Sequence, residues 1–223
     1  DLVIGDSGDI TLSALAESPA AGVLWTYGVL EQVQTLDPAL GGDDVIATGP
    51  GPDIVMGGAA ADQINAGTDE NGDNSRDIVL GDNGIASFDL ETRLDAIQSI
   101  DTAIGGSDTI HTGGGPDIIF GGFQDDAIHA ESGRDIVLGD NGVGTFDDDV
   151  APLVVRTIAP LDGGADTIHG GSEHDVVFGG TADDVIHGGS EHDVLLGDHG
   201  RYDIAFSVNQ RFRSIFTYNE HAA

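Results

Sequence analysis

The sequence predicts an all-β fold: a parallel β-roll, or β-solenoid, of stacked 18-residue coils with a loosened turn every third coil. Three observations predict it. A nonapeptide recurs through most of the chain, a longer period overlies it, and 35 glycines in 223 residues suit stacked tight turns better than a globular core. Each nonapeptide opens an Asp-x-aliphatic-x step. The first series is Asp44, Asp53, Asp62 and Asp77, the second Asp108, Asp117, Asp126 and Asp135, and the third Asp166, Asp175, Asp184 and Asp193. The aliphatic residue two places on is never missing, from Ile46 and Val55 through to Ile186 and Leu195. Gly-rich sextets such as Thr112-Gly113-Gly114-Gly115-Pro116-Asp117 form turns, because glycine admits positive φ and proline fixes its own. The three residues after each Asp form a short strand whose middle side chain points inward. Two such steps close one coil.

The longer period organises the chain. Asp108 to Asp166 is 58 residues, and Asp44 to Asp108 is 64 because six residues are inserted between Asp62 and Asp77. Each block closes on Gly-Asp-x-Gly, at residues 81–84, 139–142 and 197–200, and the same motif stands at 5–8. A strand-like segment follows, then a looser stretch carrying Val33-Gln34-Thr35-Leu36, Ile97-Gln98-Ser99-Ile100 or Val155-Arg156-Thr157-Ile158. Residues 1–223 are therefore expected to form a single elongated repeat domain, with a partial block 1–38 and blocks 39–102, 103–160 and 161–223. Asp1-Leu2-Val3-Ile4 matches Asp77-Ile78-Val79-Leu80 and no initiator Met is present, so a piece of a longer chain is expected.

Composition narrows the function classes. There is no Cys and no Lys, and seven Arg stand against 40 acidic groups, for a formal charge of -33. Without a basic stripe the chain has nothing to meet phosphate, which excludes nucleic acid as a partner. No run of about 18 apolar residues exists to span a membrane. A compact body at this charge repels itself unless cations neutralise it. Stacking coils at roughly 4.8 Å sets aspartates 18 residues apart one above another: Asp44 over Asp62, Asp108 over Asp126, Asp117 over Asp135, Asp166 over Asp184, Asp175 over Asp193. A hard divalent cation between turns removes that repulsion, held by carboxylates and by turn carbonyls. Oxygen donors without nitrogen or sulfur describe Ca²⁺ far better than Zn²⁺. Asp82, Asp140 and Asp198 of the Gly-Asp-x-Gly motifs are further ligands or Asx-turn caps.

These residues resemble the RTX (repeats-in-toxin, haemolysin-type) calcium-binding nonapeptide, Gly-Gly-x-Gly-x-Asp-x-aliphatic-x, over residues 39–89, 103–147 and 161–205. The resemblance implies a parallel β-roll with several Ca²⁺ ions between successive coils, and a chain largely unfolded without them. The 58-residue superrepeat resembles tandem arrays of large secreted or surface bacterial proteins. Ala60, Gln124, Glu173, Ala182 and Glu191 depart from the pattern where positive φ disfavours a Cβ, so Asp53, Asp108, Asp117, Asp135 and Asp166 are expected to bind better than Asp126 or Asp184. The insertion carries Asp69, Asn71, Asp73, Ser75 and Asp77 in alternation, which resembles the first half of an EF-hand loop. Asn74 stands where that loop needs Gly, and a solvated loop is the competing reading.

Other constellations carry less. Gly5-Asp6-Ser7-Gly8 is similar to the motif around a protease nucleophile, but the repeat places Asn83, Asn141 and His199 at the serine's position, so Ser7 is a turn residue and no catalytic residue is assigned. His111, His129, His169 and His187 share one outward position, with Asp89 and Asp147 expected between them; the row is either a solvated ladder or a pH-sensitive or weak transition-metal face. Triplets such as Ile118-Ile119-Phe120 are apolar throughout, which predicts burial on both faces. Their outer stripe, Met56, Leu80, Phe120, Leu138, Phe178 and Leu196, is either covered within the chain, for instance by Val23-Leu24-Trp25 and Tyr27, or docks another copy laterally or end to end, and the second is preferred. Residues 211–218 are a cap or a docking strand.

The functional expectation is a non-catalytic, Ca²⁺-stabilised rod, fibre, coat or adhesin stalk of an extracellular or cell-surface bacterial protein. The competing expectation is the secretion and folding module of an exported enzyme or toxin whose active domain lies outside these residues.

Overall fold

The computed structural model describes residues 1–13, 29–67, 74–91, 93–147, 152–207 and 210–217. They form strands joined by turns. The partial block supplies β1 (Leu2–Ile4), β2 (Gly8–Ser13) and β3 (Val29–Thr35). Block one supplies β4 (Val45–Ala47), β5 (Ile54–Met56), β6 (Gln63–Asn65), β7 (Ile78–Leu80), β8 (Gly84–Phe88) and β9 (Leu94–Ser99). Block two repeats the set as β10 (Thr109–His111), β11 (Ile118–Phe120), β12 (Ala127–His129), β13 (Ile136–Leu138), β14 (Gly142–Phe146) and β15 (Pro152–Thr157). Block three does so again as β16 (Thr167–Ser172), β17 (Val176–Phe178), β18 (Val185–Ser190), β19 (Val194–Leu196), β20 (Gly200–Ser207) and β21 (Gln210–Thr217).

Three sheets stack as layers. The central sheet runs β1-β5-β7-β11-β13-β17-β19 and the outer sheet runs β4-β6-β10-β12-β16-β18, both parallel and in chain order. The third sheet is antiparallel, β2-β3-β8-β9-β14-β15-β20-β21. The middle residues of five central strands (Val55, Val79, Ile119, Val137, Val177) meet Ile46, Ile64, Ile110, Ile128 and Ile168 of the outer sheet in one core. The flanking residues face the other way, where Met56, Leu80, Phe120, Leu138 and Phe178 pack with Ala86, Leu94, Ile97, Phe146, Val155 and Tyr202 of the antiparallel sheet. Central strands thus have apolar neighbours above and below, as their uninterrupted apolar triplets require.

Two expectations are corrected here. The coils do not loosen every third turn. Central-sheet partners stand 18 residues apart at Ile118↔Ile136 and Val176↔Val194, but 40 apart at Ile78↔Ile118 and Ile136↔Val176. A short coil and a long one together make the 58-residue period, and the excess of the long coil leaves the roll as an antiparallel hairpin, β8–β9 or β14–β15. The stretches carrying Ile97 and Val155 are second strands of those hairpins. The outer apolar stripe is also no docking surface. Met56, Leu80, Phe120, Leu138 and Phe178 are at most 1% exposed, so homotypic association through these five is closed off by the chain's own third layer, while Leu196, on the last coil, is partly buried against the same core. Val23, Leu24, Trp25 and Tyr27, offered as the cover, lie outside the described residues, as do Asp69, Asn71 and Asp73. Residues 210–217, as β21, pair with β20 as the outermost strand of the antiparallel sheet.

Because Phe120 sits between two layers, Phe120→Ala is expected to lower the stability of the calcium-saturated protein by about 3–5 kcal/mol in chemical denaturation. Val45→Ser, at a side chain 81% exposed, should leave it unchanged. Equal effects would show that the antiparallel layer does not cover the stripe in solution.

Candidate metal centre

Many turns between the two parallel sheets use left-handed backbone at two positions. Gly58 and Ala60 have φ 112° and 74°, Gly122 and Gln124 125° and 76°, Gly180 and Ala182 118° and 76°. Glu173 (φ 82°) and Glu191 (φ 78°) do the same after Gly171 and Gly189. The Cβ-bearing departures therefore keep the turn, at a conformational cost of roughly 1–2 kcal/mol each. Oδ2 of Asp126 and Asp184 is buried as in their column neighbours, and Asp126 is as buried as they are, whereas Asp184 as a whole is only partly buried.

The turns align the nonapeptide aspartates in two columns along the two edges of the roll. Asp44, Asp62, Asp108, Asp126, Asp166 and Asp184 form one; Asp53, Asp77, Asp117, Asp135, Asp175 and Asp193 form the other. In each, one aspartate's backbone N–H donates to Oδ1 of the next: Asp77 to Asp117 at 2.8 Å, Asp117 to Asp135 at 2.8 Å, Asp126 to Asp166 at 2.8 Å. The five stackings expected from 18-residue spacing are all present. The columns also cross the hairpins unbroken, from Asp62 to Asp108 and from Asp135 to Asp175, which spacing alone did not show.

Oδ2 is where the chemistry lies. Among the described residues, Oδ2 of Asp53, Asp62, Asp108, Asp126, Asp135, Asp166, Asp175 and Asp184 is buried without a hydrogen-bond partner, and Oδ2 of Asp77 and Asp117 is buried in the same position. A buried carboxylate oxygen left unpaired is costly, so each marks a place for a cation or a proton. Glycine carbonyls stand beside them. A Cβ on Gly81 would overlap both Asp108 Oδ2 and Gly121 O; on Gly121, Asp126 Oδ2 and Gly139 O; on Gly139, Asp166 Oδ2 and Gly179 O. Each of these glycines therefore borders a small cradle of carboxylate and carbonyl oxygen, the hard donor set that Ca²⁺ prefers. The residues fit that ion.

The Gly-Asp-x-Gly aspartates are placed differently. Asp82 accepts from Gly106 N–H through Oδ1 (2.9 Å) and from Phe123 N–H through Oδ2, and Asp140 accepts likewise from Gly164 N–H (2.9 Å) and Thr181 N–H. Asp6 does the same with Gly42 and Ala59. Each carboxylate clamps two later coils at the point where a hairpin leaves the roll, rather than capping its own turn. The recurring pairs Gly41-Gly42, Gly105-Gly106 and Gly163-Gly164, which receive these carboxylates, were the overlooked signal. Asp198, the equivalent in block three, is exposed.

Burial dominates the electrostatics. It pushes Asp135 and Asp82 up to about 9, Asp108 and Asp166 to about 8, Asp62 to about 7, and Asp140 and Asp175 to about 6. Neighbouring carboxylates add to the rise, Asp108 on Asp82 and Asp62 on Asp108. Asp126 rises well above its ordinary value for the same reasons.

The RTX calcium-binding nonapeptide repeat (4 copies) matches residues 39–72, 102–137 and 162–195. No curated protein and no solved structure matches the chain.

Without metal, these raised values mean that the folded roll binds more protons than the unfolded chain, so stability falls as pH rises from about 4 towards 9. In EDTA, acidification from pH 8 to pH 5 is therefore expected to increase β-structure by circular dichroism, and pH 5 stays above the pI of about 4.1. A loss of β-structure on acidification would contradict the burial of these carboxylates. In EDTA-free buffer with calcium, Ala182→Gly should raise stability by roughly 0.5–1 kcal/mol, the relief of left-handed strain less the entropy of the added glycine.

Proposed function

The repeat blocks belong to the RTX calcium-binding nonapeptide family, and from that premise we propose that this chain is a non-catalytic structural module of a large secreted or cell-surface bacterial protein, a rod, fibre, coat or adhesin stalk that folds on meeting extracellular calcium. The observation that carries the reading is the set of ten buried Oδ2 atoms, eight of them without a hydrogen-bond partner. They and the column ends Asp44 and Asp193 are the proposed ligands, together with the turn carbonyls beside them. Asp82 and Asp140 act as clamps beside the columns, with Asp198 as their counterpart in block three.

Calcium, when bound, supplies the positive charge that turns stacked carboxylates from a repulsive column into an attractive one. The chain supplies the rest. Oδ1 is held by a backbone N–H, which fixes each carboxylate's orientation and leaves Oδ2 facing the cradle. Glycine at the turn keeps the cradle open. The surrounding apolar layers lower the local dielectric, which strengthens each ion–carboxylate contact. A formal charge of -33 opposes folding until cations arrive, so binding free energy becomes folding free energy. Sites of the weak extracellular class, with dissociation constants around 10⁻⁴–10⁻³ M, would leave the chain unfolded before export and folded after it.

Far-UV circular dichroism in EDTA, followed by titration with Ca²⁺ and with Mg²⁺ as control, tests this directly. A cooperative transition to β-structure with Ca²⁺ alone is expected; full β-structure in thorough EDTA would sink the proposal. Asp117→Asn sharpens it, because the amide keeps an acceptor for Asp77 N–H while removing one charge. That variant should need more calcium to fold, yet be less destabilised without it. A variant that folds at the wild-type calcium concentration would remove Asp117 from the ligand set.

A further inference from the structure

The solvent face of the outer sheet carries a feature that calcium does not use. His111, His129, His169 and His187 stand directly opposite one another on four consecutive strands, and the row continues to Asn65 and Ala47. Asp89 and Asp147, expected between them, are absent from the row because both lie at the hairpins; Asp89 pairs with Arg93 there. The imidazoles are stacked, with centroids 4.6, 4.9 and 4.8 Å apart and planes inclined by 4°, 3° and 18°. His111 Nδ1 lies 3.0 Å from Glu131 Oε1. Among the described residues, the ring nitrogens of His129, His169 and His187 have no hydrogen-bond partner.

Four aligned imidazoles, three of them without hydrogen-bond partners and all at a spacing fixed by a sheet, suit a metal that prefers imidazole. Ca²⁺ takes oxygen, so the ladder does not compete with the aspartate columns. Burial, reinforced by His111 and His169, pushes the His129 imidazole below its ordinary value and keeps its lone pair free at neutral pH. Bonds of about 2.0–2.1 Å hold two cis nitrogens on one ion roughly 3 Å apart, with both ring planes converging on it. The stacked rings are parallel with centroids 4.6–4.9 Å apart, so two neighbouring side chains must rotate to bring their in-plane lone pairs together, which their partial exposure allows. No three His, Cys, Asp or Glu side chains converge on one point among the described residues, so water completes each coordination sphere.

We propose that the histidine ladder is a second, chemically distinct metal site, taking imidazole-preferring transition-metal dications such as Cu²⁺ and Zn²⁺ through adjacent ring pairs, with Glu131 as an added donor beside His111. It requires the folded roll but not the secreted role. Four rings in pairs admit at most two ions.

The test uses the full chain with calcium in excess, so that the aspartate columns are occupied and circular dichroism reports the fold of each sample. Isothermal calorimetry with Cu²⁺, then Zn²⁺, should show uptake that follows the imidazole preference for Cu²⁺ over Zn²⁺. The double variant His129→Gln/His169→Gln, which breaks every adjacent pair, should bind Cu²⁺ at least tenfold more weakly with unchanged circular dichroism. His174→Gln/His192→Gln, at the separate stacked pair with centroids 5.7 Å apart, should bind as the wild type does. Electron paramagnetic resonance of the Cu²⁺-loaded wild type provides a readout independent of the variants, and hyperfine structure from two imidazole nitrogens is expected. Unchanged binding in the ladder variant, loss confined to the His174/His192 variant, or an oxygen-only Cu²⁺ signal would each overturn the proposal.

Discussion

Parallel, in-register stacking decides everything else in this molecule. A parallel sheet places each residue over its counterpart in the next coil, and a repeat makes the counterparts identical. For Ile and Val that identity is favourable, since Ile110, Ile128 and Ile168 bury one another in a continuous core. For Asp it is the reverse, since the same geometry stacks ionised groups along each edge. Shifting the register to separate the charges would also turn the aliphatic side chains to the wrong face, because side chains alternate with a period of two. The charge stacking therefore cannot be relieved by sliding. It is relieved by orientation, with Oδ1 tied to a backbone N–H, and by whatever fills the space beside Oδ2.

The third sheet answers a different difficulty raised by the same stacking. A roll of two short-stranded sheets has only one core, and the central strands here carry enough apolar surface for two. Hairpins β8–β9 and β14–β15 supply the missing partner, turning a two-layer roll into a three-layer body in which Phe120 and Phe178 become interior residues. The Gly-Asp-x-Gly motif makes this compatible with a continuous roll. Its carboxylate ties the coil before the hairpin to the two coils after it, so the excursion does not interrupt either aspartate column.

The columns, turns and strand triplets were legible because each is encoded within nine residues, and local chemistry specifies them: glycine for left-handed backbone, Asp for the turn's end, an aliphatic residue for the core. The hairpins were not. Segments such as Ile85–Phe88 and Leu94–Ser99 alternate like any short strand, and their antiparallel pairing is fixed only by what they pack on. Read as coils, they forced a loosened turn into the period and placed Asp89 and Asp147 in the histidine row. The same error left the stripe through Met56 and Phe120 without a cover and suggested a second copy. Positive φ at Ala60 and Ala182 shows the converse, a local preference overruled by the stacking of neighbouring coils.

Because each hairpin leaves and rejoins the roll at one edge while both columns pass it by, the block is a unit whose two cut surfaces are alike. Beyond the six-residue insertion, deleting or duplicating 58 residues rejoins strand to strand and aspartate to aspartate in register. Recombination between such blocks at the level of the gene would change the number of units without creating a faulty joint. Copy number is thereby a free parameter of this architecture, and length can vary between lineages while the local chemistry stays constant.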